Sequence, residues 1–146
     1  MKKTLVWLIG LLLLGLLAGC GEAPVAEVPV EIPDFVPASV GDVPADIPVS
    51  TAAADVQIGV TDSSTHVRYL ADSTDVDVLV DYYDDALAAE GWEASELEDV
   101  TVRADTETTA TLVRVNDAGD TITVDVAHQD GEDNTEVEVV VVRADP

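Results

Sequence analysis

Cysteine is almost absent from this 146-residue chain, which contains it only at position 20. A single thiol cannot form an intramolecular disulfide, so the folded part must be stabilised by packing and hydrogen bonds. The shortage also excludes a zinc site built from several cysteines, and the only two histidines, His66 and His128, form no metal-binding motif. We therefore predict no bound cofactor.

Positive charge is scarce as well. The chain has six Lys and Arg residues against 30 Asp and Glu, and its formal net charge is −24. Two of the six are Lys2 and Lys3, which leaves four arginines for the remaining chain. Such a surface repels the phosphates of nucleic acids and of anionic lipid headgroups. We therefore expect no nucleic-acid partner.

Residues suited to catalysis are few. His66 and His128 are the only candidates for a general base near neutral pH, and neither has a serine, cysteine or acid at a recognisable catalytic spacing. Both alternate with apolar neighbours, which is typical of histidines in strands. The chain also has no glycine-rich phosphate loop. The sequence predicts a protein that is not an enzyme.

The first twenty residues carry an export signal. Lys2 and Lys3 precede an uncharged apolar run over residues 5–18, which is shorter than the ~20 residues that a membrane span needs. The run ends in Leu17-Ala18-Gly19-Cys20, which resembles the lipobox of bacterial lipoproteins. The resemblance implies cleavage before Cys20, lipidation of its thiol, and anchoring of the protein to a membrane of the cell envelope. An ordinary secretory signal, or an uncleaved anchor, is the alternative.

A proline-rich tether is predicted after the lipidated cysteine. Six of the seven prolines lie between residues 24 and 48, and proline favours extended backbone. We divide the chain into a signal peptide at residues 1–19, an acidic linker at 20–44 and a domain at 45–146. By resemblance to Gram-negative sorting rules, Gly21 after the cysteine favours the outer membrane, if the host has one.

The domain has the pattern of a small α+β fold. Alternating apolar and polar residues predict strands at 55–61, 65–71, 108–115, 121–127 and 135–143. Apolar residues at helical spacing between Ser73 or Thr74 and Gly91 predict one helix. We therefore expect an antiparallel sheet of about five strands, built as a hairpin, a helix and a three-strand meander, with the helix packed on one face. Residues 92–102 fit either a strand or a loop.

A second resemblance rests on Ala45-Asp46-Ile47-Pro48-Val49, then Tyr82-Tyr83, Leu87 and Gly91-Trp92, followed by the meander. This pattern resembles an uncharacterised small α+β domain of secreted bacterial proteins and lipoproteins. The chain departs from it in having Ser50-Thr51-Ala52-Ala53 where a proline-glycine turn is common. The resemblance implies no catalytic residue.

These features favour a non-enzymatic envelope module that contacts another envelope protein. Val140 and Val142 are the candidate contact surface, because the last strand is apolar on both faces. The alternative is an acidic cation-binding surface protein. Its candidate oxygen ligands are Asp130, Glu132, Asn134 and Glu136, although their order does not match a calcium loop.

The excess of acidic residues bears on how salt affects the stability of the fold. Aspartates outnumber glutamates, and Phe35 is the only phenylalanine, a composition similar to that of proteins from salt-loving organisms. On the predicted helix, Asp77, Asp81, Asp84 and Asp85 share the face away from the apolar stripe. We therefore expect a fold that is stabilised by salt.

Overall fold

A computed structural model describes residues 32–97 and 99–144. The predicted signal peptide, Cys20 and the first part of the predicted linker lie outside the described residues. The strands are β1 (Val36–Pro37), β2 (Ala54–Val60), β3 (Ser64–Ala71), β4 (Glu93–Ala94), β5 (Val100–Arg103), β6 (Glu107–Val115), β7 (Thr121–Gln129) and β8 (Thr135–Val142), and the helix α1 is Val76–Ala89. Within the described residues, no helix is both long and apolar enough to cross a membrane.

All strand pairs in the sheet are antiparallel. The strand order is β1-β2-β3-β8-β7-β6, and both β4 and β5 pair with the outer edge of β6. The chain therefore forms a hairpin (β2–β3), then α1, then a meander (β6–β7–β8) whose last strand returns to pair with β3.

The prediction of an α+β fold with about five strands is wrong, because the protein is mostly β and its sheet has eight strands. The three additional strands are β1, β4 and β5. Two of these have only two residues each, and all four residues of β5 are exposed, so none shows the alternation of a half-buried strand. β1 lies in the stretch for which the sequence predicts a tether.

The helix begins one or two residues later than predicted: its N-cap is Asp75, whose side chain accepts a hydrogen bond from the Asp77 amide at 3.0 Å. The predicted caps Ser73 and Thr74 precede it. At the other end, Gly91 has a φ of 87°, a left-handed conformation that glycine adopts without a steric cost, and it ends the helix as predicted.

One face of the sheet is covered by α1 and forms the core. The buried helix residues are Val76, Leu79, Tyr83 and Leu87, which are members of the predicted apolar stripe. They pack with alternate residues of the central strands: Val67, Tyr69, Leu112, Ile122, Val124, Val126, Val137, Val139 and Val141. Trp92 and Ile47 complete this cluster. Because α1 covers only this face, the opposite face, here called the open face, is left to solvent or to a partner.

The segment before β1 folds onto the open face. Phe35 lies 4.1 Å from the guanidinium carbon of Arg68 and packs edge-on against His66. Gly59 makes room for this segment, since a Cβ there would lie 2.8 Å from the Pro33 side chain and 3.3 Å from the Phe35 ring. Pro33 and Phe35 thus form a clasp over the first hairpin, called here the N-terminal clasp.

Candidate functional site

The open face carries an apolar patch at one end. Two rows run across the three central strands, with a valine, a threonine and a valine in each. We call them the Val–Thr patch: Val140, Thr123 and Val113 in one row, and Val142, Thr121 and Val115 in the other. Val142 is 43% exposed and its neighbours are half-buried, so the patch is reachable from solvent. It contains the predicted contact residues Val140 and Val142.

Acidic residues border the Val–Thr patch. Glu138 and Asp125 are paired in the next cross-strand row, and Glu93 pairs with Val115 at the other edge. Glu138 is bonded to Arg68 at 3.1 Å, whereas the carboxylate of Asp125 accepts only the hydroxyl of Thr111 at 2.6 Å. The patch is therefore apolar and hydroxyl-bearing, with a negative rim.

All four arginines of the chain form ion pairs within the fold. Arg68 pairs with Glu138 and Arg103 with Asp77, while Arg114 and Arg143 each bridge two aspartates. The excess of carboxylates therefore faces solvent without matching cations among the described residues.

A chain of hydrogen bonds crosses the open face next to the patch. The hydroxyl of Ser64 lies 2.9 Å from Nε2 of His66, and Nδ1 of His66 lies 3.3 Å from Oε1 of Glu138. This order of hydroxyl, imidazole and carboxylate matches the connectivity of a catalytic triad. The sequence analysis missed it, because Glu138 is 72 residues away from His66 and no local spacing indicates their contact.

The surroundings of Ser64 do not support acyl-transfer chemistry. A triad also needs backbone N–H groups that bind the developing oxyanion. The amides of Ser63 and Ser64 both donate to Oγ1 of Thr61, at 3.3 and 3.0 Å. Oγ1 of Thr61 also lies 2.7 Å from the Ser64 hydroxyl, and Arg68 shares the Glu138 carboxylate. The chain of bonds instead links the first hairpin, β8 and the N-terminal clasp.

The two histidines lie on opposite faces of the sheet. His66 is on the open face in β3, and His128 is on the helix-covered face near the end of β7. Each is in a strand, as predicted. They do not form a common cluster with acids, so the arrangement that would indicate a two-histidine site is not formed.

The predicted cation ligands are spread around the β7–β8 turn. Asp130, Glu132, Asn134 and Glu136 are all exposed, and Glu136 faces the open side of the sheet. In the ranges 32–97 and 99–144, no three His, Cys, Asp or Glu side chains are close enough together to hold a metal ion. The set is not assembled as a cage, and its cation binding stays a prediction.

No family model matches the chain, and no curated protein matches it.

Proposed function

We propose that this protein is a non-enzymatic lipoprotein of the cell envelope, anchored through lipid on Cys20, whose open face binds another envelope protein. The observation that supports the second part is the Val–Thr patch. One sheet face has a helix to cover it, while the other presents two aligned rows of valine and threonine, with the N-terminal clasp beside them among the residues that the structure describes. An apolar patch with a polar rim is typical of interaction surfaces.

The rim specifies the chemistry of the partner. Asp125, Glu138 and Glu93 surround the patch, and every described arginine is engaged in an internal ion pair. The partner that fits best has an apolar centre surrounded by arginine or lysine side chains. Complementary charge of this kind favours fast association and selects against other acidic surfaces.

A pair of photocrosslinking variants tests the interaction. A photoreactive residue replacing Thr123, at the centre of the patch, should capture a defined envelope protein in intact cells. The matched control carries the same residue at Asp81, which is exposed on the outer face of α1. Capture should be lost when Val113 and Val140 are both replaced by aspartate. Recovery of no reproducible partner, or of the same proteins from both positions, would refute the proposal.

The anchor is tested by Cys20→Ser. We expect the variant to lose fatty-acid labelling and to accumulate as an uncleaved or soluble form, because the sulfur is the acceptor of the lipid. Gly21→Ala is the matched control and should be labelled as the original chain is. A Cys20→Ser variant that still incorporates fatty acid would contradict the lipobox assignment.

A further inference from the structure

The imidazole of His128 is held in one orientation. Its Nδ1 lies 3.2 Å from the carbonyl oxygen of Asn134 and 3.2 Å from Oγ1 of Thr135. The Thr135 hydroxyl donates its own hydrogen to the carbonyl of Ser73 at 2.6 Å. Both neighbours of Nδ1 are therefore acceptors, so Nδ1 carries the proton and Nε2 of the neutral ring carries a lone pair.

His128 also lines an open cavity. His128 is only 9% exposed, yet among the described residues its Nε2 has no hydrogen-bond partner and is not a buried orphan atom, so it is reached from solvent. His128 lines a cavity of about 340 Å³ at the start of α1. The other lining residues are Thr74, Asp75, Val76, Arg103, Thr108 and Asp130.

The cavity offers carboxylates beside the imidazole. Asp75 is engaged in capping α1, whereas the Asp130 side chain makes no hydrogen bond with the described residues. The positive charge of Arg103 is neutralised by Asp77, whose two oxygens lie at 2.7 and 2.8 Å from it. The walls therefore present a nitrogen lone pair and negative oxygens.

We infer that this cavity binds a divalent transition-metal ion, with Nε2 of His128 as the anchoring ligand and the Asp130 carboxylate as the second. Imidazole and carboxylate together suit ions such as Cu²⁺ and Zn²⁺, whereas Ca²⁺ takes oxygen ligands alone. A ligating histidine that donates its other ring N–H to a carbonyl or hydroxyl is oriented for this role. Since no third side chain is in place, water completes the coordination. This site goes beyond the proposed interaction and lies on the other side of the sheet.

His66 provides an internal contrast. Both of its ring nitrogens have protein partners, Ser64 on Nε2 and Glu138 on Nδ1. A metal ion at His66 would have to displace one of these bonds, whereas Nε2 of His128 has no partner among the described residues. The two histidines should therefore differ in metal binding.

Copper is the probe that reports on the nitrogen directly. The full chain in detergent, in about 1 M salt to screen unspecific binding to the acidic surface, is titrated with Cu²⁺ and measured by electron paramagnetic resonance. We expect one equivalent with hyperfine coupling to a single nitrogen, retained in His66→Gln and lost in His128→Gln. Nitrogen coupling that survives in His128→Gln would overturn the inference. So would nitrogen coupling that is lost in His66→Gln but kept in His128→Gln.

A second variant covers the case in which His128→Gln disturbs the fold. Asp130 is exposed and lies just after β7, so Asp130→Asn should leave the circular dichroism spectrum unchanged. It should weaken Cu²⁺ binding about tenfold through loss of the second ligand, whereas Asp133→Asn, in the same turn but not lining the cavity, should not. Equal affinity of the original chain and both variants would also overturn the inference.

Discussion

The hydroxyl groups of Tyr69 in the sheet and Tyr83 in the helix are joined by a buried hydrogen bond. Their hydroxyl oxygens lie 2.5 Å apart, and the two residues are 2% and 0% exposed. Burial raises the pKa of Tyr69 from 10.0 to about 12 and raises the pKa of Tyr83 as well. The neutral pair therefore stabilises the fold fully below pH 10, and this contribution is lost as pH rises from 10 towards 12.

This pair predicts an alkaline transition. The ultraviolet absorbance of tyrosinate from Tyr69 and Tyr83 should appear together with the loss of far-ultraviolet circular dichroism, because the core must open before the hydroxyls ionise. Tyr69→Phe should lower the free energy of unfolding by about 1–3 kcal/mol, since it leaves the Tyr83 hydroxyl without its partner. The half-exposed Tyr82 gives the control, Tyr82→Phe, which should leave the transition in place. Two tyrosinates formed in a protein with a native spectrum would contradict this account.

Arg114 is the most buried of the described arginines, with 7% of its side chain exposed. It binds both oxygens of Asp99, at 2.6 and 2.8 Å, and Asp84 on α1 at 2.8 Å. Its hydrogen bonds hold the pKa of Asp99 below the ordinary value. The cluster joins β6, the helix and the loop before β5.

Removing the two acids should lower the free energy of unfolding more than removing the arginine does. Asp84→Asn with Asp99→Asn leaves a buried cation without a counter-ion, and we expect a loss of about 3 kcal/mol in the free energy of unfolding. Arg114→Met removes the cation and keeps an apolar stem, while the acids, 63% and 44% exposed, return to water. Arg114→Met should therefore lower the free energy of unfolding less than the double aspartate variant does. Denaturant unfolding measures the loss of stability in both variants. A larger loss in Arg114→Met than in the double aspartate variant would refute the explanation.

At the scale of elements, the long alternating segments could be predicted and the short ones could not. Ile122, Val124 and Val126 alternate with polar residues and form the predicted β7. β1 and β4 have two residues each, too few to show a period, and they exist because a neighbouring strand offers free backbone groups. Pairings such as Val140 with Thr123 and Val113, which create the patch, depend on register across three strands.

The orientation of His128 could not be predicted for a similar reason. The sequence indicates a histidine in a strand, but the direction of its lone pair depends on Thr135 and on the Ser73 carbonyl, 62 residues away from Thr135. A local sequence pattern can indicate that His128 lies in a strand, but it cannot indicate a contact between residues that are far apart in the sequence. The predicted lipobox is different, because such a signal consists of adjacent residues, and its assignment depends on sequence alone.

The N-terminal clasp should be sensitive to a single methyl group at Gly59. Gly59→Ala places a Cβ 2.8 Å from the Pro33 side chain, whose ring cannot rotate away, so the segment must move. Ala38, whose N–H donates to the Val56 carbonyl at 2.8 Å, reports on this region. We expect its amide hydrogen exchange to accelerate several-fold, because the contact between Arg68 and Phe35 stabilises the clasp by about 0.5–1 kcal/mol and would be lost.

The matched control is Gly41→Ala, whose added Cβ meets only the Ser39 hydroxyl at 3.8 Å. Exchange at Ala38 should be unchanged there. Equal exchange in both variants would show that Gly59 is not needed for the clasp.

For the whole molecule, the dominant property is repulsion between carboxylates. Without Lys2 and Lys3, the net charge of −24 becomes −26. Of the four aspartates on this face of α1, Asp77 and Asp84 are compensated by Arg103 and Arg114, whereas Asp81 and Asp85, four residues apart, form no ion pair among the described residues. That pair costs about 0.2–0.5 kcal/mol at low salt. Most of the repulsion is therefore spread over the surface.

Salt should raise the midpoint of thermal unfolding. The Debye length falls from about 10 Å at 0.1 M to about 3 Å at 1 M, which removes repulsion beyond nearest neighbours. The measurement needs residues 31–146, because β1 and the clasp precede the predicted domain start at residue 45. A midpoint that is level or falls in potassium chloride would contradict the prediction. A larger gain from millimolar calcium would instead favour cation binding.

The N-terminal clasp also determines how the protein responds to mechanical load. If Cys20 is fixed in a membrane and a partner pulls on the domain, the force enters the fold at Pro33 and Phe35. The first bonds to bear it are the stacking of Phe35 on Arg68 and the two-residue pairing of β1 with β2. Both can yield before the eight- and nine-residue strands do, and release of the chain as far as the buried Ile47 would add about 35 Å of length. The clasp would then act as an extensible joint that protects the sheet from the pull.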